Sequence, residues 1–113
     1  MNEPETAPGG VGRYIEAVTD DFSLEEARNV LAALQAITLD GLHAPLSHAD
    51  VSAVLEAGVE VKDAERALLD FPAVIERVAA YWCWRAGEAD IEWWHPRDAG
   101  FAGRRRIDRA KGQ

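Results

Sequence analysis

A chain of 113 residues with 48% apolar side chains and a net charge of −8 has the makings of one globular domain, long enough to bury about 65% of its unfolded surface without covalent staples. Its single cysteine excludes an internal disulfide and suits a reducing compartment. No charged-then-apolar leader opens the chain and no apolar run nears the roughly 18 residues of a membrane span, so a cytoplasmic location without membrane contact is expected.

The charge is unevenly placed: residues 1–96 carry 6 basic and 18 acidic groups, residues 97–113 carry 6 basic and 2 acidic ones. An acidic body repels nucleic acid, so nucleic acid is not an expected partner. The basic tail is expected to lie on its own acidic body or in solvent.

Residues 1–12, rich in proline and glycine, read as a flexible N-terminus, followed by a short helical turn over 13–21. The first clear helix opens at Ser23, where Ser23-Leu24-Glu25-Glu26 spells a capping box. Ala27, Val30, Leu31, Leu34 and Ile37 then define one apolar stripe, closed by Asp40-Gly41. A second helix starts at Ser47, with Leu46 placed to staple onto Val51, a stripe of Val51, Val54 and Leu55, and Gly58 as its stop.

From Val59 the period changes to two. Val59–Lys62 alternates, Asp63–Arg66 forms a polar turn, and Ala67–Phe71 returns, which predicts a hairpin closed by Pro72. Residues 73–79 read as a helical turn or irregular link. Two aromatic runs then flank Gly87-Glu88 and predict a second hairpin. A loop of two or four residues there gives Arg85 opposite Asp90, Trp84 opposite Ile91, Cys83 opposite Glu92, Trp82 opposite Trp93 and Tyr81 opposite Trp94. The Arg85–Asp90 match of opposite charges favours this register, and an odd loop would scramble both faces.

The four tryptophans, all between Tyr81 and Arg106, would each bury about 150–250 Å² and so belong first to the core. Because an isolated hairpin is marginal in water, the expected fold is α+β: two N-terminal helices packed on one face of a small antiparallel sheet made of two β-hairpins. Residues 13–108 form the single domain, and 109–113 a flexible basic C-terminus.

Gly58-Val59-Glu60-Val61-Lys62-Asp63, Leu69-Asp70-Phe71-Pro72, Cys83-Trp84-Arg85 with Gly87-Glu88, Trp94-His95 and Ala99–Arg104 closely resemble the bacterial domain-of-unknown-function family 2203, as does the helix start Phe22–Ala27. The resemblance implies a small cytoplasmic bacterial protein and names no activity or catalytic residues. The chain departs from the family pattern in two places. Relatives carry longer, coiled-coil-like paired helices before Gly58, and a glycine where Ala67 stands.

Two surfaces carry candidate chemistry. Cys83, Glu92 and His95, with Asp98 or Glu88 as a fourth, offer the mixed sulfur, nitrogen and carboxylate donors that a divalent metal such as zinc accepts. In the proposed register, however, His95 falls opposite Cys83 and Glu92 unless a bulge bends the strand. A buried cysteine and a separately hydrogen-bonded histidine is the favoured reading, and no other cofactor is expected. A mid-strand cysteine beside tryptophans reads as inert rather than nucleophilic. The Gly100–Arg105 stretch lacks the lysine and strand-to-helix context of a phosphate loop.

The second candidate is the half-polar sheet face. Tyr81 and Trp94 rimmed by Arg85 and Glu92, together with Arg104 and Arg105, describe an aromatic binding surface with a charged border. The sequence thus favours a non-catalytic binding or interaction protein that forms a homodimer through this face. The alternative is a metal-dependent or small-molecule enzyme around Cys83, Glu92, His95 and Asp98.

Overall fold

The computed structural model describes residues 21–38 and 41–107. The readings made for residues 1–12, for all but the last residue of 13–21, and for 109–113 lie outside them.

Helix α1 runs from Leu24 to Ile37. Ser23 Oγ accepts from the Glu26 N–H at 3.0 Å while Glu26 Oε1 accepts from the Ser23 N–H at 2.9 Å, the reciprocal capping box foreseen above. Leu24, Ala27, Leu31 and Leu34 are buried. Ile37, placed on the same stripe by its spacing, is 70% exposed, because the helix ends there with Thr38 already extended. Helix α2 spans His48–Glu56, with Ser47 accepting from the Asp50 N–H. It closes in a Schellman motif: Val59 N–H reaches the Val54 carbonyl, Gly58 N–H reaches that of Leu55, and Gly58 takes φ +85°, a conformation glycine adopts without steric cost.

The remaining chain forms one five-stranded antiparallel meander: β1 (Glu60–Asp63), β2 (Leu68–Ile75), β3 (Val78–Arg85), β4 (Trp93–Pro96) and β5 (Arg105–Arg106), in that spatial order. The expectation of two separate hairpins is corrected in two respects. Residues 73–79 are not a helical link; they are strand and a tight turn, with Ile75 paired to Val78 and both Glu76 and Arg77 at positive φ (54° and 68°). Those signs are what a type I′ turn requires of its two central residues. Pro72 also does not end β2. The pairing with β1 covers only Leu68–Asp70, so the proline sits where that flank of β2 has no strand beside it and its missing N–H costs no ladder bond.

The aromatic ribbon does fold back near Gly87, but one residue out of the expected register. Cys83 pairs with Trp93, Trp82 with Trp94, Tyr81 with His95 and Ala80 with Pro96. A seven-residue connection from Ala86 to Glu92 replaces the tight loop. Its anchors are remote: Arg28 on α1 bonds the Ile91 carbonyl at 2.8 Å and pairs with Asp90 at 3.3 Å, and Glu88 pairs with Arg104. Asp90 therefore faces Arg28 instead of Arg85. Ile91 turns fully inward, 0% exposed. A slip of one residue reverses every side chain of a strand, so β4 presents Trp94 where Trp93 was expected.

Leu69, Phe71, Ala73, Ile75, Ala80, Trp82, Trp84 and Trp94 on the sheet join Leu24, Ala27, Leu31, Leu34 and Val54 of the helices in one apolar cluster. Trp82 and Trp84 satisfy their indole N–H groups on the Phe22 and Glu88 carbonyls, the pairing that buried tryptophans usually make.

Candidate functional site

The alternation that turns Trp82, Trp84 and Trp94 into the core turns Asp70, Tyr81, Cys83 and His95 to the other side of the sheet. Asp70 on β2 is directly opposite Cys83 on β3, and Tyr81 is opposite His95 on β4. Asp70 and His95 are each 2% exposed and Cys83 is 0% exposed. Three chemically active groups thus share one buried point. One ligand atom from each, the Asp70 carboxylate oxygen, the Cys83 Sγ and a His95 ring nitrogen, lies within 4.8 Å of the others.

The protonation of this cluster follows from its partners. His95 Nδ1 lies 2.7 Å from the Pro96 carbonyl oxygen, which can only accept, so Nδ1 carries a proton. Nε2 then faces Asp70 Oδ2 at 3.0 Å, and a second proton must lie between them, whether the pair is written imidazolium–carboxylate or imidazole–carboxylic acid. Burial pushes the Asp70 carboxyl above the usual carboxylate range, with the charge and hydrogen bond of His95, and then a hydrogen bond from the Cys83 thiol, pulling the other way. Asp70 Oδ1 is reached by no N–H or O–H donor among the described residues. Burial first, and the charge of Asp70 second, push the Cys83 thiol up to about 12, so it stays protonated near neutrality.

Above this cluster opens a pocket of about 330 Å³. Its floor includes Asp70 and His95, Leu68 and Phe101 give it apolar walls, and Lys62, Arg66, Arg85 and Arg97 ring it. Each cation is set by local structure. The turn after β1 is tied by Asp63, whose Oδ1 accepts from the N–H groups of Glu65 and Arg66, an Asx arrangement. This brings Arg66 round to the pocket, 3.9 Å from Asp63 Oδ2. Ala67 follows at φ +53° and 0% exposure, a conformation that glycine would adopt without steric cost.

Lys62 pairs with Glu60 at 2.8 Å and sits over the Tyr81 ring, whose hydroxyl donates to Glu60. Arg97 is pinned by the Ala80 and Ala73 carbonyls and by Asp21. Arg85, whose backbone N–H donates to Glu88 Oε1 at 2.9 Å, holds its guanidinium over Phe101 at 5.7 Å, with no carboxylate partner for that guanidinium among the described residues.

The expected binding surface is divided by the register. Tyr81 and Arg85 are on the pocket side, whereas Trp94 is 4% exposed on the core side, so the Tyr81/Trp94 pair does not form. Glu92 is exposed and paired with Arg106 at 3.4 Å. Arg105 lies over the Trp94 ring, and Arg104 and Arg106 flank Trp93 at 4.6 and 5.1 Å. The basic segment therefore rests on the body of its own chain through Arg97–Asp21, Arg104–Glu88 and Arg106–Glu92.

Of the four expected metal ligands, Cys83 and His95 come together. Glu92 and Asp98 stay outside the cluster, because the one-residue shift carries His95 onto the Cys83 face and takes Glu92 off it. Asp70 fills the third position. The sequence did hold a sign of it: a lone carboxylate between Leu69 and Phe71 in an otherwise apolar strand needs a buried partner.

Two N-terminal helices followed by a five-stranded antiparallel meander, with a cation-ringed pocket over an Asp–Cys–His cluster, define a small α+β domain. The chain belongs to the family described as uncharacterized conserved protein (DUF2203), whose model matches residues 42–107. No curated protein and no solved structure matches it. Among the described residues no helix is long and apolar enough to cross a membrane.

Proposed function

We propose that this is a binding protein for a small organic anion, a carboxylate or phosphate ester with an apolar body, held in the pocket beside β1, β2 and the Phe101 turn. In this reading the helices cover the Trp82 side of the sheet and leave the Asp70 side to the ligand. One observation carries the proposal: within a chain of net charge −8, four cationic side chains line a single pocket against two carboxylates, and while Lys62, Arg66 and Arg97 pair with Glu60, Asp63 and Asp21, the Arg85 guanidinium has no carboxylate partner among the described residues. Leu68 and Phe101 supply the apolar walls that small-molecule sites need, and the volume falls in the range of about 300–1,000 Å³ typical of them.

Self-association through the aromatic face loses its support with the burial of Trp94. Tyr81 instead acts inside the pocket wall, holding Glu60 and underlying Lys62 and Arg97.

The test is a ¹⁵N–¹H NMR titration with phenyl phosphate and benzoate as probes. Saturable shifts confined to the amides of Lys62, Arg66, Arg85, Gly100 and Phe101, weakened about tenfold by Arg66→Ala/Arg85→Ala, are expected. Absence of saturation by either probe at millimolar concentration, or equal binding by the double variant, overturns the reading.

A further inference from the structure

Beneath the pocket, and independently of whether an anion enters it, the geometry points to a mononuclear divalent-metal site formed by Asp70, Cys83 and His95, with its fourth position open to the pocket. Their donor atoms lie within 4.8 Å of one another, close enough for one ion to draw them into tetrahedral contact by small side-chain adjustments. Sulfur, nitrogen and carboxylate oxygen together suit a borderline cation of the zinc and cobalt type over magnesium or calcium, which prefer all-oxygen sets.

Three further features are those of a metal centre. The Nδ1–H of His95 is held by the Pro96 carbonyl at 2.7 Å, which aims the Nε2 lone pair into the cluster, the outer contact that metal-binding histidines make. Asp70 Oδ1, on a residue 2% exposed, is reached by no N–H or O–H donor among the described residues, the weakly donating Cys83 thiol being its carboxyl's other neighbour beside His95. Such an oxygen is costly to bury unless something positive meets it. Asp70 and His95 also line the pocket, which gives an ion a route from solvent and leaves room there for water or a ligand as the fourth donor.

Charge balances without help from outside. A thiolate and a carboxylate neutralise a divalent ion, and the imidazole is neutral. Uptake of one ion releases two protons, one from the Cys83 thiol and one from between Asp70 and His95.

Cobalt(II) chloride is the probe, added to chelator-treated protein in a non-coordinating buffer and followed by absorbance. Saturation at one cobalt per chain is expected, with a thiolate-to-cobalt charge-transfer band in the near ultraviolet that zinc then abolishes. Cys83→Ser should lose the band while calorimetry still detects weaker binding. Asp70→Asn should weaken binding at least tenfold; it keeps a hydrogen bond to His95, and its tryptophan near-ultraviolet circular dichroism checks the fold. No saturable band in the folded wild type, or a band undiminished in Cys83→Ser, overturns the assignment.

Discussion

Asp70 Oδ2 and His95 Nε2 stand 3.0 Å apart, both side chains 3% exposed, on strands separated by β3. The outer nitrogen of that imidazole is committed to Pro96, so the contact needs a proton between its two atoms. Asparagine can supply that proton from its amide, and alanine cannot. Asp70→Asn is expected to unfold in urea within about 1 kcal/mol of the wild type, whereas Asp70→Ala, which leaves a buried ring nitrogen unpaired and a small void, should lose about 3 kcal/mol. Equal losses from the two would show that volume, not the shared proton, is what matters there.

Cys83 is expected to be chemically silent in the folded protein. With its thiol pushed up to about 12, first by burial and then by Asp70, it stays a thiol at pH 8. Iodoacetamide followed by mass spectrometry should find no modification at that pH until urea unfolds the chain, then complete modification. Rapid labelling of native protein would contradict both the burial and the pKa direction.

Glu60 links the sheet to pH. Burial alone would raise its carboxyl, yet the hydrogen bonds from Lys62 and Tyr81, with the charges of Lys62 and Arg97, hold it below the ordinary glutamate range. A carboxyl depressed on folding contributes stability above its unfolded pKa and loses it as the pH falls through the folded one. Tyr81→Phe removes one of those donors. It should cost about 1 kcal/mol at pH 7 and shrink the acid-side loss, with the Glu60 carboxyl carbon titrating at higher pH by NMR. An unchanged titration would mean the Tyr81 hydroxyl is bonded elsewhere in solution.

Arg77 occupies the second central position of the β2–β3 turn at φ +68°, exposed to solvent. Side-chain-bearing residues are strained in this region and glycine is not. Arg77→Gly is therefore expected to stabilise the protein by about 0.5–1 kcal/mol despite the added freedom of its unfolded chain. A thermal midpoint lowered by the substitution would argue against the turn geometry.

How much of this was readable beforehand divides by the range of the interactions. Both helix starts were legible because Ser23 with Glu26, and Ser47 with Asp50, carry their caps within three residues. The β2–β3 turn was not, since Glu76-Arg77 holds none of the glycine, asparagine or aspartate that marks such turns. The aromatic register failed for a different reason. Arg85 and Asp90 looked like local partners, but Asp90 is claimed by Arg28, sixty-two residues earlier, and Glu88 by Arg104. Tertiary ion pairs outweighed a cross-strand match that a sequence displays and a fold need not use. The same slip decided the site, bringing His95 beside Cys83 and recruiting Asp70.

The margins of the sheet bear on how this protein behaves when crowded. On one side the outer strand has only four residues and an irregularity between Val61 and Asp63; on the other it is two exposed arginines. Short, kinked or cationic borders offer little main chain on which a neighbouring molecule can template. For a ribbon so rich in tryptophan, borders of this kind leave few free main-chain groups in a row for edge-to-edge pairing.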